Sequence, residues 1–368
     1  MRYKFSDLYY DDTKNAKKLK SSEYKNVGKH IIVDQGKALI AGYTDNEDGL
    51  YTDVPAIIFG DHTRNIKYID SPFFLGADGT KVLKSSLKNV NYKYLYYLLK
   101  NASIPDTGYN RHFKWLKELI FKYHSQEQQN QIVTILDKLD LTITKYREEL
   151  SLLEELAKAR FVEMFGDPVE NTMNWPEIFI GDKCFVTKLA GFEYTQYIDY
   201  EESGEVVMVK AQNVKNGKLN RKDLSFISKK VSDSLPRSQL APGDVVMTYV
   251  GANIGDVAVI DDVYKYHLAP NVAKIRPNAE VYNSIYFMYM LMLLNIYIVK
   301  NSADTAKAAL SMERIRKLKV FIPPIELQNQ FASFVQEIDK SRLLNICLKS
   351  LVESVLKIRI FSEYKKSS

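Results

Sequence analysis

The sequence predicts an α+β protein in which two mixed α/β globular parts alternate with two long helices. Three observations predict this fold class. Two stretches, 126–165 and 326–361, contain no Gly or Pro and therefore suit long helices. The segments before them, 1–124 and 169–321, contain short apolar runs bounded by turn residues, which is the pattern of buried strands. A short sequence at the start of the first long helix is repeated 199 positions later, which indicates a duplicated unit.

The repeated sequence is clearest at residues 322–331, which read Ile-Pro-Pro-Ile-Glu-Leu-Gln-Asn-Gln-Phe. The two prolines end any preceding strand, because proline fixes φ and lacks an N–H donor. The next acidic residue lies in the first helical turn, where the helix dipole favours a carboxylate. The matching positions of the two copies are Glu127, Gln129, Asn130 and Gln131 with Glu326, Gln328, Asn329 and Gln330. This period is too long for a solenoid and indicates a globular part, a hinge and a long helix, present twice.

Each globular part contains a predicted set of short strands and one helix. In the first part, strands are predicted at 31–35, 55–59, 66–69 and 80–83, and a helix at 91–100. In the second part, strands are predicted at 206–210, 243–249, 257–260 and 271–275. The apolar run 285–299 is shorter than a membrane span requires and contains Asn295, so we predict a helix that is buried in this part.

Both long helices carry apolar residues at heptad spacing, which predicts that they pair. In the first helix the seam consists of Leu139, Ile143, Tyr146, Leu150 and Leu153. In the second helix it consists of Leu344, Leu348, Leu351, Val355 and Ile358. The second seam does not continue the phase of the first at an offset of 199 residues, so we expect the two helices to pack against each other. Gly166 and Pro168 end the first helix.

The sequence contains none of the common catalytic motifs. We find no Walker loop, zinc-ligand spacing, metalloprotease helix, nucleophile elbow or methyl-transfer motif. The five histidines are scattered, and Asp61 with His62 is read as a turn after a strand or a DNA contact rather than a catalytic pair. We therefore predict no catalytic residues, no metal site and no bound cofactor. The net charge of +6 permits nucleic-acid binding without requiring it.

Two further features bear on the compartment. Cys184 and Cys347 are far apart in the sequence, which fits free thiols in a reducing compartment. The N-terminal stretch is polar and charged, unlike a secretory signal peptide. We therefore expect a cytoplasmic protein without a membrane segment.

Several of these motifs together resemble one family. They are the duplicated hinge, the helix end Phe165-Gly166-Asp167-Pro168, and the stretch Gly243-Asp244-Val245-Val246-Met247 followed by residues 251–257. In this combination the chain resembles the specificity subunit of type I restriction–modification enzymes. The resemblance implies target-recognition domains at 1–124 and 169–321, and antiparallel coiled-coil helices at 125–168 and 322–368, the central and distal conserved regions. It also implies pseudo-twofold symmetry between the two halves.

The resemblance implies a function and a set of partners. The subunit would read a bipartite, asymmetric site in double-stranded DNA without being a catalyst itself. It would dock two methyltransferase subunits and, in the full complex, restriction and translocase subunits, and these partners would bind the methyl donor and ATP. Two alternatives from other classes stay open: a stand-alone sequence-specific DNA-binding regulator, and a coiled-coil scaffold that does not contact DNA.

Loops displayed by the globular parts supply the predicted DNA contacts. Arginine binds the guanine edge or a phosphate, and asparagine pairs with the adenine edge. In the first part the predicted contacts are Arg64, Lys67, Tyr109, Asn110, Arg111 and His112. In the second part they are Lys210, Gln212, Asn213, Tyr249, Asn253, Lys300 and Lys307. The plain alternative for each of these loops is an ordinary solvated loop.

Overall fold

The computed structural model describes residues 1–76, 78–108, 110–302 and 309–359. The chain forms two compact units. Unit 1 contains residues 1–146 together with the segment from 347 onward, and unit 2 contains residues 147–346. The unit boundaries fall inside the two long helices, Gln126–Phe165 and Ile325–Arg359. The division of the chain at residues 124, 168 and 321 stays a prediction.

Unit 1 is a mixed α/β unit. Its strands are β1 (Arg2–Lys4), β2 (Tyr10–Asp11), β3 (His30–Val33), β4 (Gly42–Thr44), β5 (Ala56–Gly60), β6 (Ile66–Ile69), β7 (Phe73–Leu75), β8 (Thr80–Lys84) and β9 (Ile120–Lys122). Its helices are α1 (Phe5–Leu8), α2 (Tyr92–Lys100), α3 (Phe113–Lys117) and the first half of α4 (Gln126–Phe165). β2, β8, β5 and β6 form an antiparallel sheet in that order. A second sheet has the order β4-β3-β7, with β3 parallel to β7, and β1 pairs with β9.

The continuous apolar sequence of the central strand β5 follows from its position in the sheet. Successive side chains of a strand point to opposite faces of the sheet. Ile57 and Phe59 pack on one face with the core beneath α2. Ala56 and Ile58 pack on the other face with the core beneath β3 and β7. Both faces of this strand are therefore buried, which is why apolar and polar residues do not alternate along it.

Unit 2 repeats this organisation with additions. Its strands are β10 (Glu177–Phe179), β11 (Cys184–Lys188), β12 (Val206–Val209), β13 (Val214–Lys215), β14 (Lys218–Leu219), β15 (Ser225–Ile227), β16 (Gln239–Leu240), β17 (Val245–Thr248), β18 (Val257–Val259), β19 (Lys265–Leu268), β20 (Val272–Pro277) and β21 (Lys319–Phe321). Its helices are α5 (Ile180–Lys183), α6 (Gly191–Tyr197), α7 (Lys229–Ser234), α8 (Ser284–Ser302), α9 (Met312–Arg316), the second half of α4 and the first part of α10 (Ile325–Arg359).

The sheets of unit 2 match those of unit 1. The order β11-β20-β17-β18 is antiparallel throughout, as in β2-β8-β5-β6. The order β15-β12-β19-β16 contains a parallel pair, β12 and β19, which corresponds to β3 and β7. The β10–β21 pair corresponds to β1–β9. The predicted duplication is confirmed, whereas the β13–β14 hairpin and helix α6 were not predicted from the sequence.

Two contacts of the repeated hinge are the same in both units. Gln129 donates a hydrogen bond from Nε2 to the His124 carbonyl at 2.9 Å, and Gln328 donates one to the Pro323 carbonyl at 2.8 Å. The next residue of each hinge, Asn130 or Asn329, accepts a hydrogen bond from an asparagine at the start of α2 or α8, at 3.1 and 2.9 Å. The Gln-Asn pair therefore holds the start of each long helix against the globular part.

The apolar run predicted as a buried helix forms most of α8. Tyr286, Phe287 and Leu291 of this helix are fully buried. Their neighbours in the core include Phe161 of α4 and Phe331 of α10. None of the helices in the described residues is both long and apolar enough to cross a membrane. This run is apolar because it is enclosed on most sides by protein.

Within unit 2 the second half of α4 packs antiparallel against the first part of α10. The ring of Phe161 lies 5.4 Å from that of Phe331. Further along α4 in the direction of lower residue numbers, Glu154 forms an ion pair with Arg342, and Glu149 accepts a hydrogen bond from Asn345 at 3.3 Å. Partner numbers on α10 rise as those on α4 fall, so the two helices run in opposite directions. The predicted pairing is confirmed.

The predicted seam of α4 is confirmed, whereas that of α10 is wrong at its first position. All five seam residues of α4 are buried or half-buried. On α10 Leu344 is 61% exposed, and the buried positions include Phe331, Val335, Ile338 and Arg342. The last three repeat the phase of Leu136, Leu139 and Ile143 at an offset of 199, so the predicted break in phase is also wrong here. The side chains of Leu351, Val355 and Ile358 lie outside the described residues.

The error has a physical cause. The seam was predicted from the spacing of apolar residues alone. A long charged side chain can also fill a core position when its charged end has a partner. Arg342 is 9% exposed, and its guanidinium pairs with Glu154. A charged residue therefore takes the place of a leucine in this helix pair.

Candidate nucleic-acid interface

In unit 1, loops from both sheets meet at one edge. β3 and β7 are parallel and end together, with Val33 opposite Leu75. β5 and β8 are antiparallel, so the end of β5 at Gly60 lies opposite the start of β8 at Thr80. The loops that follow β3, β5 and β7 therefore lie side by side. This arrangement brings polar residues from distant parts of the sequence to a common surface.

Gln35 joins these loops. Its side chain accepts a hydrogen bond from the His62 N–H at 3.2 Å and donates one to the Asp78 carbonyl at 3.0 Å. Its carbonyl accepts hydrogen bonds from Thr63 Oγ1 at 2.6 Å and Asn65 Nδ2 at 2.9 Å. A single residue thus fixes the geometry of three loops. The sequence signal for this role is a polar residue directly after a predicted buried strand.

A tight turn precedes β8. Gly79 has φ +81, in the left-handed region, and a Cβ added there would lie 2.7 Å from His62 Cδ2. A side chain at this position would therefore be strained and would also clash. In unit 2 the corresponding residue, Asn271, has φ +69, and asparagine tolerates this conformation better than most residues.

Asp61 and His112 attach the loop 106–112 to the same edge. Asp61 Oδ1 accepts a hydrogen bond from the Phe113 N–H at 2.7 Å, and the Asp61 carbonyl accepts one from the His112 N–H at 2.8 Å. Both residues are buried. Asp61 therefore has a structural role at the start of α3, which agrees with the interpretation of Asp61 and His62 as a turn.

An ion pair links this loop to the loop after β5. Arg64 has φ +61 and directs its guanidinium to Asp106, with Nη2 2.6 Å from Oδ2. The hydrogen bond from the Gly108 N–H lowers the pKa of Asp106, and the hydrogen bond from Arg64 lowers it further. The carboxylate therefore stays charged over a wider pH range, and the two loops stay joined.

The predicted contacts of unit 1 divide into exposed and buried residues. Arg111 and Asn110 are exposed, and the charge of Arg111, after that of Lys18, lowers the pKa of Asp78. Lys67 is 5% exposed and pairs with Asp34 at 3.4 Å, and burial lowers the pKa of its ammonium group. His112 is fully buried. We exclude Lys67 and His112 from the interface because they do not reach the surface, and Tyr109 lies outside the described residues.

The corresponding edge of unit 2 is built in the same way. β11 and β17 end beside the start of β20, with Lys188 opposite Ala273 and Thr248 opposite Val272. β12 and β19 are parallel and end together, so the turn between β19 and β20 connects the two sheets at this edge. Lys188, which the sequence analysis did not select, places its Nζ 5.3 Å from the centre of the Tyr249 ring.

The predicted contacts of unit 2 also divide into side chains that are exposed and side chains that are held by hydrogen bonds within the unit. Gln212 and Asn253 are exposed, and Tyr249 is half-buried. Lys210 donates a hydrogen bond to Ser225 Oγ at 2.8 Å. Asn213 is 2% exposed, and its amide donates hydrogen bonds to the carbonyls of Asn220 and Lys222. We exclude Asn213 because its side chain holds a turn. Lys307 and the side chain of Lys300 lie outside the described residues.

Among the residues that the structure describes, neither edge offers a metal site. Within residues 1–76, 78–108, 110–302 and 309–359, no group of three or more His, Cys, Asp or Glu side chains is arranged to hold a metal ion. What both edges share is a rigid sheet framework with exposed amide and cationic side chains, which are Asn110 and Arg111 in unit 1 and Lys188, Gln212 and Asn253 in unit 2. Such a surface suits the edges of bases and the phosphate backbone.

The sequence also matches a family model described as the type I restriction modification DNA specificity domain. The match covers residues 6–155 and 173–353, which correspond to the two copies of the duplicated fold. The chain belongs to this family. The membership confirms the resemblance seen in the hinge and helix motifs, and it accounts for most of the chain in two matches of similar length.

Two similar proteins share about a fifth of the aligned residues with this chain. The specificity subunit of the type I restriction enzyme EcoBI from Escherichia coli is 22% identical over 135 residues, which cover 36% of this chain and only 28% of that protein. The MjaIX specificity subunit from Methanocaldococcus jannaschii is 22% identical over 302 residues, covering 74% of this chain and 69% of that protein. At this distance single binding residues are not transferable between the proteins.

Solved structures share the fold. The crystal structure of the type I restriction–modification S subunit from M. genitalium aligns with a TM-score of 0.58 and 18% identity, covering 97% of this chain and 95% of that chain. The fold predicted from the sequence, mixed α/β parts joined by long paired helices, is therefore confirmed.

Proposed function

We propose that this chain is the DNA-reading subunit of a type I restriction–modification complex. The observation that supports this function best is the duplicated polar edge, one in each unit, on the same sheet framework. Two separate edges suit a bipartite site, and their different side chains suit an asymmetric one. Unit 1 would use Arg64, Asn110 and Arg111, and unit 2 would use Lys210, Gln212, Tyr249 and Asn253.

The chain itself is not a catalyst in this proposal. It would bind double-stranded DNA and present it to two methyltransferase subunits, with restriction and translocase subunits in the full complex. The methyl donor and ATP would be bound by those partners. Cys184 and Cys347 are free thiols, which fits the cytoplasmic location that access to the genome requires.

The test is reconstitution with and without the methyltransferase. The isolated chain is expected neither to cleave nor to methylate DNA, because the catalytic groups reside in the partners. The complex is expected to methylate one bipartite sequence, which methylome sequencing identifies. Methylation by the isolated chain would contradict the proposal. Tight specific binding by the chain without any methyltransferase partner would favour a regulator, and no DNA binding in either form would favour a scaffold.

Arg111 tests the edge of unit 1. Arg111→Ala is expected to weaken specific binding by about 1–3 kcal/mol, if its guanidinium reads a base edge. The loss concerns one half of the bipartite site, and binding to a duplex that lacks that half stays unchanged. Fluorescence anisotropy with half-site variants of the duplex measures this. Arg2→Ala, which removes another exposed arginine of unit 1, is the control and is expected to bind normally.

A uniform loss of affinity for all sequences in Arg111→Ala would assign Arg111 to a phosphate instead. No loss at all would remove the loop 106–112 from the interface.

The outward face of α4 is the proposed docking surface for the methyltransferase. Leu152 and Leu156 are exposed, and they lie about 100° and about 60° around the helix from the seam residue Leu153. Leu152→Lys with Leu156→Lys is expected to weaken co-purification with the methyltransferase by about tenfold or more, since each leucine loses about 1.5–3 kcal/mol of apolar burial. Folding is expected to be unaffected, because both side chains lie in water.

The control for this surface is Ser151→Lys, an exposed substitution one position away. If the double variant binds the methyltransferase as the control does, the docking surface lies elsewhere.

A further inference from the structure

Helix α6 (Gly191–Tyr197) has no counterpart in unit 1. It lies in the connection between β11 and β12. The corresponding connection of unit 1, between β2 and β3, is fully described and contains two short 3₁₀ turns, Thr13–Asn15 and Ser21–Glu23, but no α-helix. The helix is therefore an addition that distinguishes the second unit from the first.

One side of α6 is fixed to the body of unit 2. Tyr194 and Ile198 pack against the apolar core beneath β12 and β19. Glu193 accepts a hydrogen bond from the Ala190 N–H at 2.9 Å, which closes the first turn of the helix. These contacts determine which side chains of the helix point outward.

The outward side carries Phe192 and, one turn later, Gln196. Phe192 is 64% exposed, more than any other Phe, Tyr or Trp side chain in the described part of the chain. Gln196 is exposed, and its amide has no hydrogen-bond partner among the described residues. Burial of an exposed aromatic ring is favourable, so a ring held on a helix that is anchored to the core is available for contact with a partner.

The surroundings of Phe192 indicate the kind of partner. Lys188, four residues earlier, lies over the Tyr249 ring at the edge proposed to contact DNA. The acidic residues Glu201, Glu202 and Glu205 follow the helix and lead to the start of β12, at the end of that strand away from Lys210. Lys188 and Tyr249 therefore adjoin the beginning of α6, where the carboxylate of Glu193 is occupied by the Ala190 N–H, and Asp199, Glu201, Glu202 and Glu205 lie beyond the end of the helix. This polarity favours an anion with apolar flat faces at Phe192, which is the chemistry of DNA.

We propose that α6 is a DNA-contacting element of unit 2, in which Phe192 packs its ring against a base at a base-pair step and Gln196 reads the edge of a neighbouring base. The proposal rests on the proposed function. Apolar side chains inserted at a step partly unstack the bases, and glutamine pairs with the adenine edge. The β2–β3 connection of unit 1, all of whose residues the structure describes, has no such element, so the two halves of the site would be read by different means.

The test uses the full chain assembled with its methyltransferase and the duplex found by methylome sequencing. 2-Aminopurine replaces each adenine of the half-site whose recognition survives Arg111→Ala. Phe192→Ala is expected to bind this duplex about 5- to 150-fold more weakly, the range for a lost base–aromatic stack. The fluorescence increase of wild type at one 2-aminopurine position is expected to disappear, and Phe192→Trp is expected to restore both signals. Gln196→Ala is expected to relax the choice of base beside that position.

Phe185→Ala is the matched control, because Phe185 is another exposed phenylalanine of unit 2 but lies within β11. It is expected to bind within twofold of wild type. Wild-type affinity and fluorescence in Phe192→Ala would overturn the proposal. So would a loss of methyltransferase binding with DNA affinity intact, which would make α6 a protein-docking element. Failure of the wild-type complex to bind any bipartite duplex would instead refute the proposed function.

Discussion

Replacing Phe161 by alanine is expected to lower the free energy of unfolding of unit 2 by about 3–5 kcal/mol. Phe161 is fully buried where α4, α8 and α10 meet. Its ring stacks on Tyr286 with 5.4 Å between centroids, and lies 5.0 Å from Phe165 and 5.4 Å from Phe331. Alanine removes the ring but leaves the backbone positions of three helices fixed by other contacts, so a cavity remains and its lining loses dispersion contacts.

Trp175 provides the measurement. Its indole N–H donates a hydrogen bond to the Phe165 carbonyl at 3.0 Å, so its fluorescence reports on this cluster. Urea unfolding followed at Trp175, with Trp115 replaced by Phe, gives the free energy of unfolding of unit 2. Val162→Ala, next in sequence but exposed, is the control and is expected to change stability by about 0.5 kcal/mol or less. Equal stabilities of the two variants would show that the aromatic cluster does not hold the helices together.

The second large effect is expected at the hinge of unit 2. Gln328→Ala should destabilise this unit by about 2–5 kcal/mol, because it leaves several buried polar groups without partners. Gln328 is fully buried and accepts a hydrogen bond from the Asn283 N–H at 2.9 Å. It also donates hydrogen bonds to the carbonyls of Val281 and Pro323, at 3.0 and 2.8 Å. The alanine side chain satisfies none of these three groups.

The duplication supplies the matched control. Gln129 occupies the same position in unit 1 and donates a hydrogen bond to the His124 carbonyl at 2.9 Å. Gln129→Ala is expected to lower the free energy of unfolding of unit 1 by about 1–2 kcal/mol, because a single hydrogen bond is lost. Urea unfolding is followed by the fluorescence of Trp115 for unit 1 and of Trp175 for unit 2, and the losses in the two variants are then compared. A larger loss in Gln129→Ala than in Gln328→Ala would contradict the assignment of the hinge contacts.

Much of the candidate interface could be predicted from the sequence, because polar residues directly after buried strands occupy the ends of those strands. Arg64, Gln212 and Asn253 follow such strands, whereas Arg111 lies in the polar loop before α3. Arg111, Gln212 and Asn253 are exposed, and Arg64 is half-buried. Lys67 and Asn213 were chosen for the same reason. Their side chains instead satisfy a carboxylate and backbone carbonyls inside the units. Residue type alone does not reveal which partner a long polar side chain finds.

The sequence by itself determined the architecture. Spacing and turn residues define strands and helices locally, and the repeated hinge records the duplication without any knowledge of the fold. Tertiary structure decided which surfaces remain free. Arg342 is buried because Glu154 lies opposite it, whereas Leu344 is left in water, although a count of apolar residues predicts the reverse. Phe192 is exposed because Tyr194 and Ile198 turn the other side of α6 to the core. Burial depends on partners from distant parts of the chain, and local sequence does not contain them.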